Sequence, residues 1–116
     1  MGQALEVANR YYGIWRNNGE GLADVLSDDF SFVGPLDQLD REGMLAAVPH
    51  MGPALQEFHM KKQFENGGEV CCIYDLDMAT PGGKLTIPMA EWITVSGGKI
   101  SGIRLYFDPR ELAAAT

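Results

Sequence analysis

The chain has 116 residues, a length typical of one domain, and about 65% of the surface of an unfolded chain of this size is buried on folding. Its formal net charge is −7 and its nine Lys and Arg residues are scattered. This argues against binding to nucleic acid or to an anionic membrane, because phosphate recognition needs clustered positive charge. We expect no signal peptide, and the sequence has no apolar run of about 18 residues that could span a bilayer. We expect one domain over residues 1–116, located in the cytoplasm.

Two helices are predicted at the start of the chain. From residue 3 to residue 17, apolar side chains recur at helical spacing and form a broad, aromatic face. That face comprises Leu5, Val7, Ala8, Tyr11, Tyr12, Ile14 and Trp15. Asn17, Asn18 and Gly19 end this helix. A second, shorter helix over residues 21–27 offers its apolar side chains to the same core.

A short strand and a third helix come next. The strand covers residues 30–34, and an acidic loop over residues 36–40 follows the Gly34-Pro35 break. Asp40 is placed to cap a helix from Arg41 to about Val48. A kinked connection between Pro49 and Pro53 then leads to the second half of the chain.

The second half is predicted to be a meander of long antiparallel strands. Strands over residues 58–65 and 70–79 are joined by a turn at residues 66–68, and a turn at residues 80–83 leads to the third. A fourth strand, residues 99–107, closes the meander. Pro88 cannot donate a hydrogen bond to a neighbouring strand, so we expect a bulge or bend there.

The strand over residues 70–79 contains both cysteines, which limits the disulfides and metal sites that the chain can form. Cys71 and Cys72 are adjacent, so their side chains point to opposite faces and cannot form a disulfide with each other. Two cysteines and two histidines are too few ligands in this arrangement to indicate a zinc site, and we expect no metal and no cofactor. Asp75 and Asp77 alternate with apolar residues and are expected on the outer face of the sheet.

The final hairpin carries the clearest functional signal, which is Glu91 inside an apolar strand. With a three-residue loop (Ser96, Gly97 and Gly98), Glu91 would lie opposite Ile103 on the apolar face. With a two-residue Gly97-Gly98 loop, Glu91 would lie opposite Arg104 and form a cross-strand ion pair. Both loop lengths are common in hairpins. The turn therefore leaves open whether Glu91 is an acid in an apolar pocket or half of an ion pair.

This order of elements predicts an α+β fold. The N-terminal helices would pack in a strongly curved, mainly antiparallel sheet. Such a sheet, wrapped around the aromatic first helix, would form a cone-shaped barrel with one open mouth. We expect a ligand pocket at that mouth.

Several segments resemble the nuclear-transport-factor-two-like superfamily. They are Asn9-Arg10-Tyr11, Ser27-Asp28-Asp29, Gly34-Pro35, Ala90-Glu91-Trp92, Gly98-Lys99-Ile100 and Arg104-Leu105-Tyr106-Phe107-Asp108. Within that superfamily the chain is most similar to the SnoaL-like branch, which includes ketosteroid isomerases, limonene-epoxide hydrolases and polyketide cyclases. The resemblance implies the cone-shaped fold over nearly the whole chain. It is less specific for function, because this fold hosts enzymes and non-catalytic binders.

The resemblance to ketosteroid isomerases also implies site residues. Tyr11 falls on the position of the oxyanion-hole tyrosine, and Glu91 on that of the protonated carboxylic acid that assists it. Where those isomerases carry their general base this chain has Gly34, which argues against steroid isomerisation itself. Asp37 and His59 are the candidates for a second acid or base. The paired Asp residues and Arg of the epoxide hydrolases have no convincing match.

Apolar residues at the mouth are expected to bind the ligand. They are Trp15, Phe32, Ile103, Leu105 and Phe107. Two functions fit this site: acid/base proton transfer of isomerase or cyclase type on a small apolar molecule, or non-catalytic ligand binding or dimerisation. Under the second function, Glu91 could pair with Arg104.

The outer face of the sheet predicts a homodimer. Ile73, Trp92 and Tyr106 fall on this face at alternating strand positions. Soluble monomers rarely expose contiguous apolar surface of this kind. We therefore expect two copies of the chain to associate through the sheet.

Overall fold

A computed structural model describes residues 2–115 of the chain. The helices are α1 (Gln3–Arg16), α2 (Leu22–Val25), α3 (Arg41–Met51) and α4 (Arg110–Ala115), with a turn of 3-10 helix at Gly52–Ala54. The strands are β1 (Leu26–Val33), β2 (Gln38–Asp40), β3 (Leu55–Asn66), β4 (Glu69–Thr80), β5 (Gly83–Ser96) and β6 (Lys99–Tyr106). The predicted α+β class is confirmed.

The described strands form one six-stranded sheet in the order β2-β1-β6-β5-β4-β3. Only β1 and β6 pair in parallel, and the other pairs are antiparallel. Strands β3 to β6 are the predicted meander, and each of its turns has two residues between the last paired positions. In the last turn Gly97 and Gly98 have φ values of 61° and 79°, a conformation that favours glycine.

Helix α1 packs against the inner face of this sheet. Its buried residues are Ala4, Ala8, Tyr11, Tyr12, Ile14 and Trp15, which confirms the predicted aromatic face. The inner face of β4 and β5 contributes Val70, Cys72, Tyr74, Leu76, Met78, Ile87, Met89, Glu91, Ile93 and Val95. The strict alternation of buried and less buried positions in β5 fixes which side chains point inward.

Strand β3 holds the first turn of α1 in place. The carboxylate of Glu65 accepts hydrogen bonds from the backbone nitrogens of Gly2 (3.0 Å) and Leu5 (2.9 Å). Gly2 is the N-cap of α1 and has no side chain to supply such an acceptor. Glu65 therefore caps the helix from a distant strand and places a negative charge at its positive end.

Several predicted boundaries are corrected by the sheet. The second helix ends at Val25 because β1 begins at Leu26, which already pairs with Ile100 of β6. The predicted strand at residues 30–34 is therefore longer at its start. Residues 38–40 of the predicted acidic loop form β2, an edge strand on β1.

The predicted helix end before Pro49 and the predicted bulge at Pro88 are wrong, while the predicted cap of α3 is confirmed. Asp40 Oδ1 accepts a hydrogen bond from Gly43 N at 2.8 Å. The helix continues through Pro49 to Met51, because a proline near the C-terminal end removes only one backbone donor. The register between β4 and β5 passes through Pro88 without a shift, since β6 pairs with β5 only from Ala90 onward.

The outer face of the sheet carries an apolar patch. Ile73, Trp92 and Tyr106 lie there as predicted, joined by Phe64, and each is 40–53% exposed. We call these four residues the outer patch. Cys71 lies half-buried on the same face, while Cys72 is buried on the inner face, and both thiols are free as predicted. Within residues 2–115, no helix is long and apolar enough to cross a membrane.

Candidate functional site

A cavity of about 110 Å³ lies between the inner face of the sheet, α1, α3 and the chain after β6. Most of its lining is apolar or aromatic. The residues are Tyr11, Trp15, Phe32, Gly34, Pro35, Leu36, Asp37, Leu39, Met44, Ala47, Met51, Leu55, Phe58, Tyr74, Leu76, Met78, Met89, Glu91, Leu105, Phe107 and Leu112. A cavity of this volume has room for roughly ten water-sized atoms. It can therefore accept a small organic molecule.

The direction of Glu91 is set by a bulge rather than by the turn. The hairpin has the two-residue Gly97-Gly98 turn, but the register shifts between Thr94 and Val95, where Ser101 is an extra residue in β6. Glu91 consequently lies opposite Leu105, so both predicted partners, Ile103 and Arg104, are wrong. The extra residue returns Glu91 to the inner face, which is the face that the three-residue loop predicted. Arg104 lies opposite Trp92, and no Glu91–Arg104 ion pair forms.

Glu91 is held by two tyrosines at one of its oxygens. Its Oε1 accepts hydrogen bonds from the Tyr12 hydroxyl at 2.7 Å and from the Tyr74 hydroxyl at 2.9 Å. Oε2 has no hydrogen bond to any residue in the described part of the chain. In that part, every fully buried side-chain nitrogen or oxygen has a hydrogen-bond partner, so Oε2 is not fully buried. Oε2 therefore has accessible surface, and since Glu91 lines the cavity, that surface faces the cavity.

Burial sets the protonation of this cluster. The pKa of Glu91 is raised above its ordinary value, because loss of water around the carboxylate outweighs the two tyrosine hydrogen bonds that lower it. The pKa values of Tyr12 and Tyr74 are also raised, first by burial and then by the nearby Glu91 charge. Both tyrosines are thus neutral hydrogen-bond donors at any physiological pH.

Tyr11 lines the cavity without contacting the carboxyl group of Glu91 by a hydrogen bond. Its ring packs edge-on against Tyr12 (5.4 Å between centroids) and Trp15 (6.4 Å). Burial raises its pKa, the charge of Glu91 raises it further, and a hydrogen bond with the Trp15 side chain lowers it. Tyr11 therefore shares the cavity with Glu91, but the direct partners of Glu91 are the two other tyrosines.

Asp37 lies at the mouth of the same cavity. It is exposed and belongs to the short loop between β1 and β2. The loop is closed by a hydrogen bond from Gly34 N to the Asp37 carbonyl oxygen at 2.8 Å. The fold thus brings an exposed carboxylate and a buried carboxyl group to the lining of one apolar space.

The remaining predicted site residues divide between the cavity and other parts of the fold. Trp15, Phe32, Leu105 and Phe107 line the cavity. Ile103 is fully buried in the core and is not among the lining residues. His59 points to the outer face of the sheet, where its Nε2 lies 2.8 Å from Asp77 Oδ2.

The His59–Asp77 pair belongs to a polar cluster on the outer face. Asp77 Oδ1 accepts a hydrogen bond from Thr86 Oγ1 at 2.6 Å, and Lys84 Nζ lies 3.3 Å from its Oδ2. The hydrogen bonds from Thr86 and His59, together with Lys84, lower the pKa of Asp77 to about 2. These contacts satisfy a nearly buried carboxylate on the face away from the cavity.

Tyr12 and Tyr74 are the site residues that sequence reasoning missed. Helical spacing places Tyr12 on the apolar face of α1, and Tyr74 is one of the residues that alternate with Asp75 and Asp77 along β4. The alternation was a usable signal, because it places Tyr74 on the same face as Glu91 once the strands pair. Among residues 2–115 no group of three or more His, Cys, Asp or Glu side chains could hold a metal ion. What the site offers is a buried acid, a carboxylate at the mouth and an apolar space between them.

Comparison with known proteins places this geometry in a family. Residues 7–103 match the model of the SnoaL-like domain. No match was found among curated proteins. An NTF2-like protein of unknown function from Cytophaga hutchinsonii is 25% identical, with a TM-score of 0.82, over 95% of this chain and 94% of that chain.

Two further structures share the fold at lower identity. One is a putative SnoaL-like polyketide cyclase from Jannaschia sp. CCS1, with 15% identity and a TM-score of 0.81 over 97% of this chain and 90% of that chain. The other is a hypothetical protein with a ketosteroid isomerase-like fold from Catenulispora acidiphila, in complex with trimethylamine. It has 16% identity and a TM-score of 0.76 over 95% and 91% of the two chains.

Proposed function

Because the chain belongs to the SnoaL-like domain family, we propose that its cavity binds a small, largely apolar molecule and that Glu91 exchanges a proton with it. The observation that carries this proposal is the asymmetric setting of Glu91. Two tyrosine hydroxyls occupy Oε1, and Oε2 faces the cavity. A carboxyl group held in this way has one oxygen available for a ligand.

The location of the proton follows from the hydrogen bonds. Tyr12 and Tyr74 both donate to Oε1, so Oε1 acts as an acceptor and a proton on the neutral acid resides on Oε2. The raised pKa of Glu91 favours that neutral acid. From Oε2 the proton can be donated to a carbonyl or similar acceptor on the ligand, where a water-poor setting strengthens the interaction.

Asp37 is the proposed second group. As an exposed carboxylate at the mouth, it can accept a proton from the part of the ligand that Glu91 does not contact. Tyr11 would contact the ligand from α1, beside Trp15, Phe32, Leu105 and Phe107. The reaction type this supports is acid/base proton transfer, as in an isomerase or cyclase.

The test is solvent proton exchange on an enolisable ketone with roughly ten non-hydrogen atoms, which matches the size of the cavity. We would incubate 2-tetralone with the protein in D₂O and follow the loss of its α-proton signal by NMR. Exchange should exceed the buffer rate and fall by about 10²–10⁴ in Glu91→Gln. Asp37→Asn should also slow it. Exchange at the buffer rate with wild-type protein, despite measurable binding, would leave the alternative function, a non-catalytic ligand-binding module.

We further propose that two copies of the chain associate through the outer patch. Phe64, Ile73, Trp92 and Tyr106 form a contiguous apolar surface on adjacent strands, larger than single exposed residues would give. Sedimentation of Ile73→Lys should show a monomer where wild type shows a dimer. Gln3→Lys, which adds the same charge on the exposed side of α1, should stay dimeric. If wild type sediments as a monomer at every protein concentration, the proposal is contradicted.

We also propose that the chain is located in the cytoplasm, where the thiols of Cys71 and Cys72 would stay reduced. Fractionation of cells that express the chain with its native sequence, followed by detection with an antibody, would test this.

A further inference from the structure

Among the described residues that line the cavity, the ionisable side chains are all acids and none is a base. Asp37 and Glu91 are its acidic residues, and no Lys, Arg or His is among the described residues that line it. Arg16 lies 5.7 Å from the centre of the Phe58 ring but does not itself line the cavity. An anionic ligand would therefore enter an apolar space that holds two carboxyl groups and, among its described lining residues, no positive charge.

The aromatic content of the cavity points in the same direction. Six of its lining residues are aromatic: Tyr11, Trp15, Phe32, Phe58, Tyr74 and Phe107. Aromatic rings attract cations through their electron-rich faces, and rings gathered around a small space are the arrangement that recognises quaternary ammonium groups. Such walls, together with an acid that has one free oxygen, supply both kinds of contact that an organic cation uses.

From this lining we infer that the cavity selects small amines and quaternary ammonium compounds over neutral molecules of the same shape. The inference rests on the proposed function, since it names the ligand class of the same cavity. An amine would accept the proton of Glu91 Oε2, and the product would be an ammonium ion beside a carboxylate. A quaternary ammonium cannot accept a proton, so its binding would release that proton to solvent.

The groups that face Glu91 allow this change of charge. Tyr12 on α1 and Tyr74 on β4 donate hydrogen bonds to Oε1 in either state and support a carboxylate once it forms. Tyr11 and Cys72 are the other titratable groups beside it, and both are neutral when protonated. From β6, the residue opposite is the apolar Leu105. Within the described chain, none of these neighbours carries a positive charge that would compete with the ligand.

The test compares two isosteres by calorimetry at a pH below the pKa of Glu91, which a carboxyl-carbon NMR titration measures first. Choline and 3,3-dimethylbutan-1-ol have the same shape. They differ in one atom, which is a positively charged nitrogen in choline and a neutral carbon in the alcohol. Choline should bind at least 10-fold more tightly and should release protons, which is measured by repeating the titration in buffers of different ionisation enthalpy. Glu91→Gln should lose the proton release and most of the preference.

Glu65→Gln is the matched control, because it makes the same chemical change outside the cavity. It should keep both the preference and the proton release. Equal binding of the two isosteres, or a preference that Glu91→Gln leaves intact, would overturn the inference. If the protein exchanges the α-proton of 2-tetralone and does not bind choline, the inference fails while the proposed function stands; if neither molecule binds, both fail.

Discussion

The hydroxyl of Tyr12 lies 2.7 Å from Glu91 Oε1 and joins residues 79 positions apart in the sequence. It links α1 directly to β5 through a buried contact. Tyr74 reaches the same oxygen from β4 at 2.9 Å. One carboxyl oxygen thus connects three elements, and the state of Glu91 is tied to how those elements pack.

The two tyrosines should control the acidity of Glu91. Their hydrogen bonds lower its pKa, so Tyr12→Phe and Tyr74→Phe should each raise it further. A carboxyl-carbon NMR titration measures this directly, with Glu91→Gln to assign the signal. Each variant should also lose roughly 1 kcal/mol of stability, the usual cost of one buried hydrogen bond. Tyr11→Phe is the control, because Tyr11 donates no hydrogen bond to Glu91. An equal pKa rise in the control would contradict the assigned roles.

The raised pKa of Glu91 should make stability depend on pH. Above about 4.5, the ordinary pKa, the unfolded chain loses this proton while the folded chain keeps it. Folding therefore binds a proton, and stability should fall as pH rises from there to the folded pKa, by at most about 1.4 kcal/mol per pH unit. Urea unfolding across this range should show the decline in wild type and a flatter profile in Glu91→Gln. Parallel profiles would mean that Glu91 ionises alike in both states.

Asp77 should act on stability with the opposite sign. Its pKa is lowered to about 2 by Thr86, His59 and Lys84, so its contribution is complete above the ordinary value of 3.8. That contribution should disappear as pH falls from 3.8 towards 2. In thermal unfolding, the Tm of Asp77→Asn should fall less between pH 3.8 and pH 2 than the Tm of wild type does. Asp75→Asn, on the same face, should show the same fall in Tm as wild type. If Tm depends on acid pH in the same way in wild type and Asp77→Asn, the prediction is refuted.

Glu65 should stabilise α1 without affecting the cavity. Replacing it with alanine removes the acceptor of two backbone donors, Gly2 N and Leu5 N, and should cost about 1 kcal/mol. Glu57→Ala, an exposed position on the same strand, should change stability by less than about 0.5 kcal/mol. Denaturant unfolding compares the two. Ligand binding by Glu65→Ala should match wild type, and a loss there would show that the capping contact reaches the site.

The fold was largely predictable because its signals are local. Helical spacing around Tyr12, the glycine turns and the alternation along β4 each indicate an element by themselves. The boundaries that failed depend on distant partners. Leu26 is extended because Ile100 lies beside it, and residues 38–40 form a strand because β1 offers an edge.

The site was less predictable, for a physical reason that Ser101 illustrates. The turn alone suggested two registers, and one extra residue in β6 produced a third in which Glu91 faces Leu105. The only mark of this bulge in the sequence is the three-residue spacing of Ile100 and Ile103, which a regular strand would place on opposite faces. The same limit hid Tyr12 and Tyr74, since only the assembled sheet shows that their hydroxyls converge on one atom.

The convergence on Oε1 also has a stereochemical consequence. A carboxyl group anchored at one oxygen cannot turn to present the other from a new direction. A proton that leaves Oε2 would therefore reach a bound molecule from one side only. If the ligand is held by its carbonyl in this one orientation, Asp37 would return deuterium from solvent to a single prochiral face of the α-carbon and yield a product of one handedness.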